Sequence, residues 1–391
     1  MRRLRLFAAV VVVLVSSLAS TAAASARVPQ GFVGVMPAPP IYNRDVNLSH
    51  QLDSMVASGV ESLRVEFDWA SAQPYGSAAD VPRARAKDFQ TIGGVPTTFT
   101  VTDKIVGLAA QHGLSIMAVV LVTPPWAAVA SPAGNYNLPR SNSSFASFMS
   151  ALIGRYGPRG SFWRQNPKIK RVPIRMWQIW NEPNLELYWP NQPWAPGYVT
   201  MLRAAHDAIK RADRGASVVL AGLPNRSWDD LEEIYKVPGA SGLFDAVAVH
   251  PFTADPKGVI TILQLVRGVM NRHGDRAKPM FATEVSWPSS KGKATQFFGF
   301  ETTEAGQASR VASVLPMLAA NRRQLGLRGF YWYTWLSRDR CCDKSFEYAG
   351  LLRYSKGRIS AKPAFSAFTR AALALENCKV KSSDATRCRR R

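Results

Sequence analysis

Apolar residues occur along the chain in short, nearly continuous runs that alternate with longer segments in which they recur every three or four positions. Residues 114–122 read LSIMAVVLV, and an apolar run of this length is typical of a strand buried on both faces. Residues 47–58 place Leu48, Leu52 and Met55 on one face, which predicts an amphipathic helix that ends at Gly59. The pattern therefore predicts strands that alternate with helices.

The alternation continues as far as residue 375. Strands are predicted at residues 31–37, 61–69, 114–122, 174–180, 217–223, 244–250, 279–285 and 327–334. Helices are predicted at residues 47–58, 102–111, 144–156, 196–212, 228–235, 259–272, 303–323 and 363–375. Eight strand–helix pairs in 391 residues predict a single-domain α/β fold, a (β/α)8 TIM barrel. A doubly wound sheet is the alternative, but no glycine-rich phosphate turn follows the first strand.

Both ends of the chain depart from this pattern. Residues 1–26 have a basic start, an apolar middle and Ala24-Ser25-Ala26 at the end, which predicts a cleaved signal peptide and a soluble exported protein. An uncleaved membrane anchor is the alternative, although the apolar run is short for a span. Residues 377–391 are basic, and we expect them to form a disordered tail after one domain at residues 27–376.

The four cysteines lie close to the C-terminal end, at Cys341, Cys342, Cys378 and Cys388. Their spacing does not resemble a zinc site, and an exported protein is expected to pair them in disulfides. Three pairings are possible, and the sequence does not choose among them. No spacing of His, Asp or Glu indicates a metal site, so neither a metal nor another cofactor is expected.

The carboxyl ends of barrel strands surround one pocket, so residues at those ends are the candidates for function. The predicted strand ends carry Arg64, Trp126, Asn181 with Glu182, His250, Glu284, and Trp332 with Trp335. Two carboxylates on one rim are what glycoside cleavage requires, because one protonates the leaving oxygen and the other attacks the anomeric carbon. Indole rings on the same rim would stack on the apolar faces of sugars.

Two segments resemble the motifs of a known group of enzymes. Residues 180–184 read WNEPN and resemble the acid/base motif of clan A glycoside hydrolases, and residues 283–287 read TEVSW and resemble the nucleophile segment. The likeness is greatest to families 39 and 5, which include β-xylosidases and endoglucanases. The resemblance implies a retaining (β/α)8 enzyme whose acid/base follows the fourth strand and whose nucleophile lies on the seventh.

The resemblance also implies a role for each site residue. Glu182 would be the general acid/base with a raised pKa, and Glu284 the ionised nucleophile, whose pKa Arg64 would lower. Asn181 would bind the 2-hydroxyl of the substrate, and His250 would line the sugar subsite. Three indoles would contact sugar rings. Trp332 would be the stacking platform of the eighth strand, with Trp335 as the alternative assignment. Trp126 would form a wall of a neighbouring subsite.

One position departs from the family pattern. Many members carry a tyrosine two residues after the histidine, bonded to the nucleophile, whereas this chain has Phe252. Tyr331 or Tyr333 is then expected to supply that hydrogen bond; otherwise the nucleophile is held less firmly.

The formal net charge of +22 is spread along the chain without a dense basic stripe. It indicates solubility with a loose attraction to anionic surfaces, or else an acidic polysaccharide or cell-envelope substrate. No nucleic-acid-binding motif is present, and we expect a monomer. The sequence therefore predicts a secreted retaining β-glycosidase acting on a polysaccharide or oligosaccharide. The alternative is a catalytically weak carbohydrate-binding barrel associated with the cell envelope.

Overall fold

The structure is a computed structural model that describes residues 28–339 and 344–390. The predicted signal segment, residues 1–26, and two of the cysteines, Cys341 and Cys342, lie outside these ranges.

Eight parallel strands form the barrel, which confirms the predicted fold. They are β1 (Val33–Met36), β2 (Ser62–Asp68), β3 (Ser115–Leu121), β4 (Met176–Ile179), β5 (Ser217–Val219), β6 (Val247–Val249), β7 (Met280–Val285) and β8 (Leu327–Tyr333). Each strand pairs with the next in chain order, and β8 pairs with β1. Parallel bridges from Val219 to Ala246 and from Leu223 to Val249 connect β5 with β6 and complete the ring.

A helix follows each barrel strand and packs outside it. These helices are α1 (Leu48–Ala57), α2 (Thr100–Gln111), α3 (Asn142–Tyr156), α4 (Trp194–Ala212), α5 (Ser227–Lys236), α6 (Pro256–Arg272), α7 (Glu304–Leu325) and α8 (Pro363–Leu375). Several begin at a capping side chain, as where Asp255 accepts hydrogen bonds from Lys257 N and Gly258 N. Within the described ranges, no helix combines the length and the apolar character needed to cross a membrane.

Alternation along β2 shows how the strands divide inside from outside. Leu63, Val65 and Phe67 are buried among the apolar residues under the helices. Ser62 and Arg64 point inward, where the Ser62 hydroxyl lies 2.9 Å from the hydroxyl of Tyr331. The Tyr331 ring needs the space beside Gly34, because a Cβ there would lie 2.4 Å from the ring. Side chains therefore fill the barrel near the N-terminal ends of the strands. The polar cluster described in the next subsection lies at their carboxyl ends.

Shorter elements decorate the barrel ends. Short helices lie at Trp69–Ala72 and Ser161–Gln165, and 3₁₀ turns at Ala78–Asp80, Arg83–Asp88, Pro125–Ala127, Ala240–Leu243 and Ser345–Tyr348. Two-stranded pairs join Gln90–Ile92 to Val95–Thr97 and Ala128–Val129 to Leu138–Pro139. A three-stranded sheet combines Leu336–Ser337, Leu352–Ser355 and Arg358–Ala361.

The C-terminal segment is ordered, contrary to the expected disordered tail. Cys378–Lys381 and Cys388–Arg390 form an antiparallel hairpin, and a disulfide joins Cys378 to Cys388. The hairpin buries Lys381, whose Nζ donates to Glu61 Oε1 at 2.8 Å and also pairs with Glu376. Because Glu61 immediately precedes β2, this contact holds the hairpin against the N-terminal end of the barrel.

Candidate active site

Arg64 lies at the centre of a polar cluster at the carboxyl ends of the strands. Its side chain is fully buried on the inner face of β2. Nη1 donates to Glu284 Oε1 at 2.6 Å, Nη2 to Asn181 Oδ1 at 2.7 Å, and Nε to Gln178 Oε1 at 2.7 Å. The guanidinium therefore ties β2 to β4 and β7, and its only carboxylate partner among the described residues is Glu284.

Glu284 reaches this cluster because β7 is irregular near its end. The pairing of β7 with β8 shifts between Ala282 and Val285, as at a β-bulge. A bulge changes the direction of a side chain, and here Glu284 turns toward Arg64. The carboxyl is 8% exposed, so it is shielded from bulk water but still reachable from the cleft.

Glu182 is held by an unusual backbone path beyond β4. Trp180 and Glu182 have φ of 69° and 43°, a left-handed region that bulky residues rarely occupy. The turn is fixed by a hydrogen bond from Glu182 N to Gly222 O at 3.2 Å. Such local strain is typical of functional sites. The Glu182 carboxyl, 8% exposed, thereby enters the same cluster as Glu284.

His250 lies between the two carboxyl groups. Its Nδ1 is 2.6 Å from Glu182 Oε1, and its Nε2 is 3.7 Å from Glu284 Oε1. The ring is fully buried, and Nε2 has no hydrogen-bond partner among the described residues. Gly222 makes room for the ring, because a Cβ there would lie 1.9 Å from Nε2. Gly222 thus positions both Glu182, through its carbonyl, and His250.

Burial sets the proton affinities of Glu182 and His250. It raises the pKa of Glu182 to about 7, with Arg64 opposing the shift. Burial also lowers the pKa of His250 to about 3, with Glu284 opposing and Arg64 adding to the shift. At neutral pH His250 is therefore uncharged, while Glu182 is poised between its protonated and ionised forms. This is the state that a general acid/base requires.

The environment of Glu284 differs from that of Glu182. Burial raises the pKa of Glu284, and His250 and Arg64 oppose that shift. The expected effect of Arg64 is present, but burial outweighs it, so the net direction is opposite to the predicted one. Protonating Glu284 would still leave the buried Arg64 without a counter-charge, which is costly. We therefore assign the negative charge of the pair to Glu284 and the exchangeable proton to Glu182.

Asn181 lies beside this pair, where Arg64 Nη2 donates to its Oδ1. An arginine can only donate, so the amide oxygen of Asn181 must face Arg64, and its NH₂ group is left for another acceptor. Gln178 was missed by the sequence analysis, although it bridges Arg64 and the carbonyl of Leu220. The available signal was a buried glutamine in the apolar strand MWQI.

The three predicted indole rings differ in their exposure to solvent. Trp126 is partly exposed at the rim, where its Nε1 donates to Gln73 O at 2.7 Å. Trp332 and Trp335 are fully buried, which corrects their expected place in the cleft. Trp335 packs outward, donating to Gln51 of α1 and contacting Phe365 of α8.

Tyr333, rather than either indole, is the ring of β8 that faces the cleft. Because side chains alternate, Tyr331 and Tyr333 point inward while Trp332 points toward the helices. Trp332 contacts Trp287 and belongs to the core under the helices. Glu284, Glu66 and Glu182 all act electrostatically on the Tyr333 hydroxyl and, after burial, raise its pKa. The ring of β8 that faces the cleft is therefore one residue later than the predicted Trp332.

Phe252 takes part in an aromatic wall instead of holding the nucleophile. Its ring stacks on Phe300 at 5.3 Å and meets Phe346, which also contacts Phe298 and Tyr333. Phe298 and Phe300 lie in the segment between β7 and α7. Neither expected tyrosine replaces the missing hydroxyl, because Tyr331 bonds Ser62 and Tyr333 has no hydrogen bond to Glu284. Among the described residues, only Arg64 donates a side-chain hydrogen bond to the Glu284 carboxyl.

Among the described residues, one group of side chains could hold a metal ion. It consists of Glu182, His250 and Glu284, whose donor atoms lie within 4.8 Å of one another. Arg64 Nη1 already occupies the space beside Glu284 Oε1 at 2.6 Å. A cation placed there would be repelled by the guanidinium. The arrangement therefore favours proton transfer over metal binding.

Comparison with solved structures relates the fold of the chain to that of known enzymes. The chain superimposes on a family 39 glycoside hydrolase from Bacteroides cellulosilyticus WH2 with a TM-score of 0.61 and 17% identity, over 90% of this chain and 65% of that one, just under two thirds. It matches the GH53 catalytic domain of Ignisphaera aggregans with a TM-score of 0.56 and 18% identity, over 87% and 95% of the two chains.

A third match is GH5_18 from Streptomyces cattleya, with a TM-score of 0.58 and 18% identity over 90% and 81% of the chains. The chain has the barrel fold of these glycoside hydrolases. No protein-family model and no curated protein sequence matches it. At such identities the comparisons show the shared fold, and the chemistry has to be argued from the site.

Proposed function

We propose that the protein is a secreted retaining β-glycosidase that hydrolyses O-glycosidic bonds of a polysaccharide or oligosaccharide. The observation that carries this proposal is the facing pair of buried carboxyls, with donor atoms of Glu182 and Glu284 within 4.8 Å of each other. Retaining enzymes hold their carboxyls about 5–5.5 Å apart, whereas inverting enzymes need about 6.5–9.5 Å to admit a water molecule. Oxygens this close fit the retaining spacing better than the inverting one, which supports a retaining mechanism.

The different environments of Glu182 and Glu284 assign a different catalytic role to each. Glu182 carries the exchangeable proton and donates it to the glycosidic oxygen while Glu284 attacks the anomeric carbon. The leaving alcohol departs, and a covalent glycosyl–Glu284 ester forms. Glu182, now ionised, removes a proton from water, which attacks the ester and releases Glu284. His250 stays uncharged throughout and orients the Glu182 carboxyl through Nδ1.

The remaining contacts support the same reaction. Arg64 supplies the counter-charge of the Glu284 carboxylate, the NH₂ group of Asn181 is available for a sugar hydroxyl, and Tyr333 offers a ring to the sugar bound above Glu284. Trp126 is placed to contact a neighbouring sugar. The alternative of a weakly catalytic carbohydrate-binding barrel was motivated by Phe252 and by the basic surface. The short Arg64–Glu284 bond speaks against the first motive, because Glu284 is held without a tyrosine.

The experiment is reducing-sugar release over a panel of β-glucans, xylans, mannans, galactans and acidic exopolysaccharides. Glu284→Gln should lower the rate by about 10⁴-fold or more, as expected when a nucleophile is removed. Glu186→Gln, an exposed glutamate on the same loop as Glu182, is the control and should leave the rate unchanged. Tight glycan binding without turnover in the folded wild-type protein would instead establish the binding-barrel function.

A further inference from the structure

A third glutamate opens into the same cleft. Glu66 follows Arg64 by two residues on β2, so both side chains lie on the inner face of the strand. At about 3.3 Å per residue, Glu66 lies about 7 Å nearer the mouth than Arg64. That distance is comparable to the span of one sugar ring. Glu66 therefore lies about one sugar length beyond Arg64 along the strand.

The surroundings of Glu66 are those of a deep cleft. Its side chain is exposed, whereas the inward residues below it, Ser62 and Arg64, are fully buried. Burial by nearby protein nevertheless raises the pKa of Glu66, while Arg64 opposes the shift. A side chain that solvent reaches but protein surrounds lines a concavity rather than an outer surface.

Glu66 has no hydrogen-bond or ion-pair partner in the described part of the chain. By contrast, its neighbour Asp68 accepts from Ser71 N at 2.9 Å and begins a short helix, so Asp68 has a structural role. Because solvent reaches the Glu66 side chain and no described residue pairs with it, its carboxyl group is available to a ligand. Two oxygens with free lone pairs can accept hydrogen bonds from two adjacent hydroxyls.

The charge of the cleft opposes the charge of the whole protein. Glu66, Glu182 and Glu284 all act on Tyr188, whose pKa is raised first by burial and then by these carboxylates among other groups. Arg64 is the cation bonded within this group, and it is committed to Glu284. The net charge of +22 thus surrounds a cleft floor with more negative than positive groups.

We propose that Glu66 is a specificity residue that binds a pair of hydroxyls on an uncharged sugar next to the reacting one and excludes a uronic acid from that subsite. This inference rests on the proposed glycosidase function and narrows its substrate class. The preference proposed for this subsite is opposite to the one that the basic exterior by itself favours, which is an acidic polymer. A carboxylated sugar above Glu66 would be repelled across a short distance in a partly enclosed site.

The test uses the wild-type protein, Glu66→Gln, Glu66→Ala and the exposed control Glu186→Gln. Each is assayed on a neutral oligosaccharide from the polymer found in the panel and on its form oxidised at C6 to the uronic acid. The wild type should prefer the neutral form at least about tenfold. Glu66→Ala should lose about 10- to 100-fold in kcat/KM on the neutral form, and Glu66→Gln should reduce the preference over the oxidised form.

A binding measurement tests the role of Glu66 independently of whether the protein hydrolyses the sugar. Calorimetry with both oligosaccharides is done on Glu182→Gln, which binds without turnover, with and without Glu66→Gln. Weaker neutral-sugar binding in the double variant supports the inference even if no hydrolysis is found in any assay. Unchanged binding and an unchanged preference between the two sugars overturn it, and hydrolysis by the wild type would then leave the proposed function standing.

Discussion

The barrel carries a buried charge cluster at each end, and the two are built differently. At the N-terminal end, Lys381 lies between Glu61 and Glu376 and also donates to Ala385 O at 3.1 Å, under a hairpin that covers it. At the carboxyl end, Arg64 holds Glu284, but the cluster opens into a cleft. The first cluster joins parts of the chain; the second leaves atoms free for another molecule.

Access from solvent distinguishes the two clusters. Among the described residues, His250 Nε2 in the upper cluster lacks a hydrogen-bond partner, and the Glu66 side chain just above it is exposed and unpaired. In the lower cluster, both oxygens of Glu61 are used, by Lys381 and by Gly31 N at 2.7 Å, while Glu376 Oε1 has no partner but is buried with its residue. A polar cluster covered by its own chain acts on the stability of the fold, whereas one beside an exposed carboxylate can also bind another molecule.

The largest expected contrast comes from making the same exchange in both clusters. Glu182→Gln should lower kcat/KM by about 10²- to 10⁴-fold, because the proton donor is lost. Glu61→Gln should leave kcat/KM unchanged in folded protein. Steady-state kinetics on the polymer identified in the panel measures both. A comparable activity loss in Glu61→Gln, with its fold intact, would break the division between the two ends.

Removing the lower cation should affect stability instead. Lys381→Met leaves Glu61 and Glu376 buried without a counter-charge, and we expect a loss of about 3–5 kcal/mol in the free energy of unfolding. Urea denaturation followed by tryptophan fluorescence measures it. Lys379→Met, on an exposed position of the same strand, is the matched control and should change little. Equal stabilities of the two variants would show that the lower cluster does not hold the hairpin.

A smaller effect is expected from a methyl group placed behind the His250 ring. Gly222→Ala would put a Cβ 1.9 Å from His250 Nε2, so the ring must move and take the Glu182 carboxyl with it. A displacement of about 1 Å can cost about 10²-fold in rate. Gly242→Ala is the control, because no atom lies within 4 Å of its Cβ. Wild-type kinetics in Gly222→Ala would mean that His250 does not position the acid.

The pH profile gives the smallest but most specific effect. Glu182 must hold its proton to act as the acid, and its pKa is raised to about 7. The rate constant kcat/KM should therefore be level just below pH 7 and fall about tenfold per unit above it. An aryl glycoside with an acidic leaving group needs no proton, so its profile should lack this fall. A decline centred near pH 4–5 would show that the acid is solvated.

The sequence predicted the barrel because each strand–helix pair has its own local signal. Where bounds differ, a cap or a turn explains it: α6 begins at Pro256, after the Asp255 cap, rather than at residue 259. The strand predicted at residues 217–223 ends at Val219, because the following residues leave the ladder to bring Gly222 under His250.

Two features depended on information that local patterns do not contain. The inward ring of β8 differs from the predicted one by a single residue, and a shift of one residue exchanges the two faces of a strand. The order of the C-terminal hairpin depends on Lys381 meeting Glu61, 320 residues away. The glutamates themselves were predictable, since an acid at the end of an apolar strand needs a reason to be there.

The stereochemistry of the first product tests the central claim most directly. The wild-type protein is mixed with the β-linked substrate that it hydrolyses in the panel. The anomeric protons of the released sugar are followed by NMR before mutarotation. A carboxyl pair with donor atoms within 4.8 Å predicts that the β-anomer forms first. If the α-anomer forms first, water attacks directly, and the role assigned to Glu284 as nucleophile is wrong.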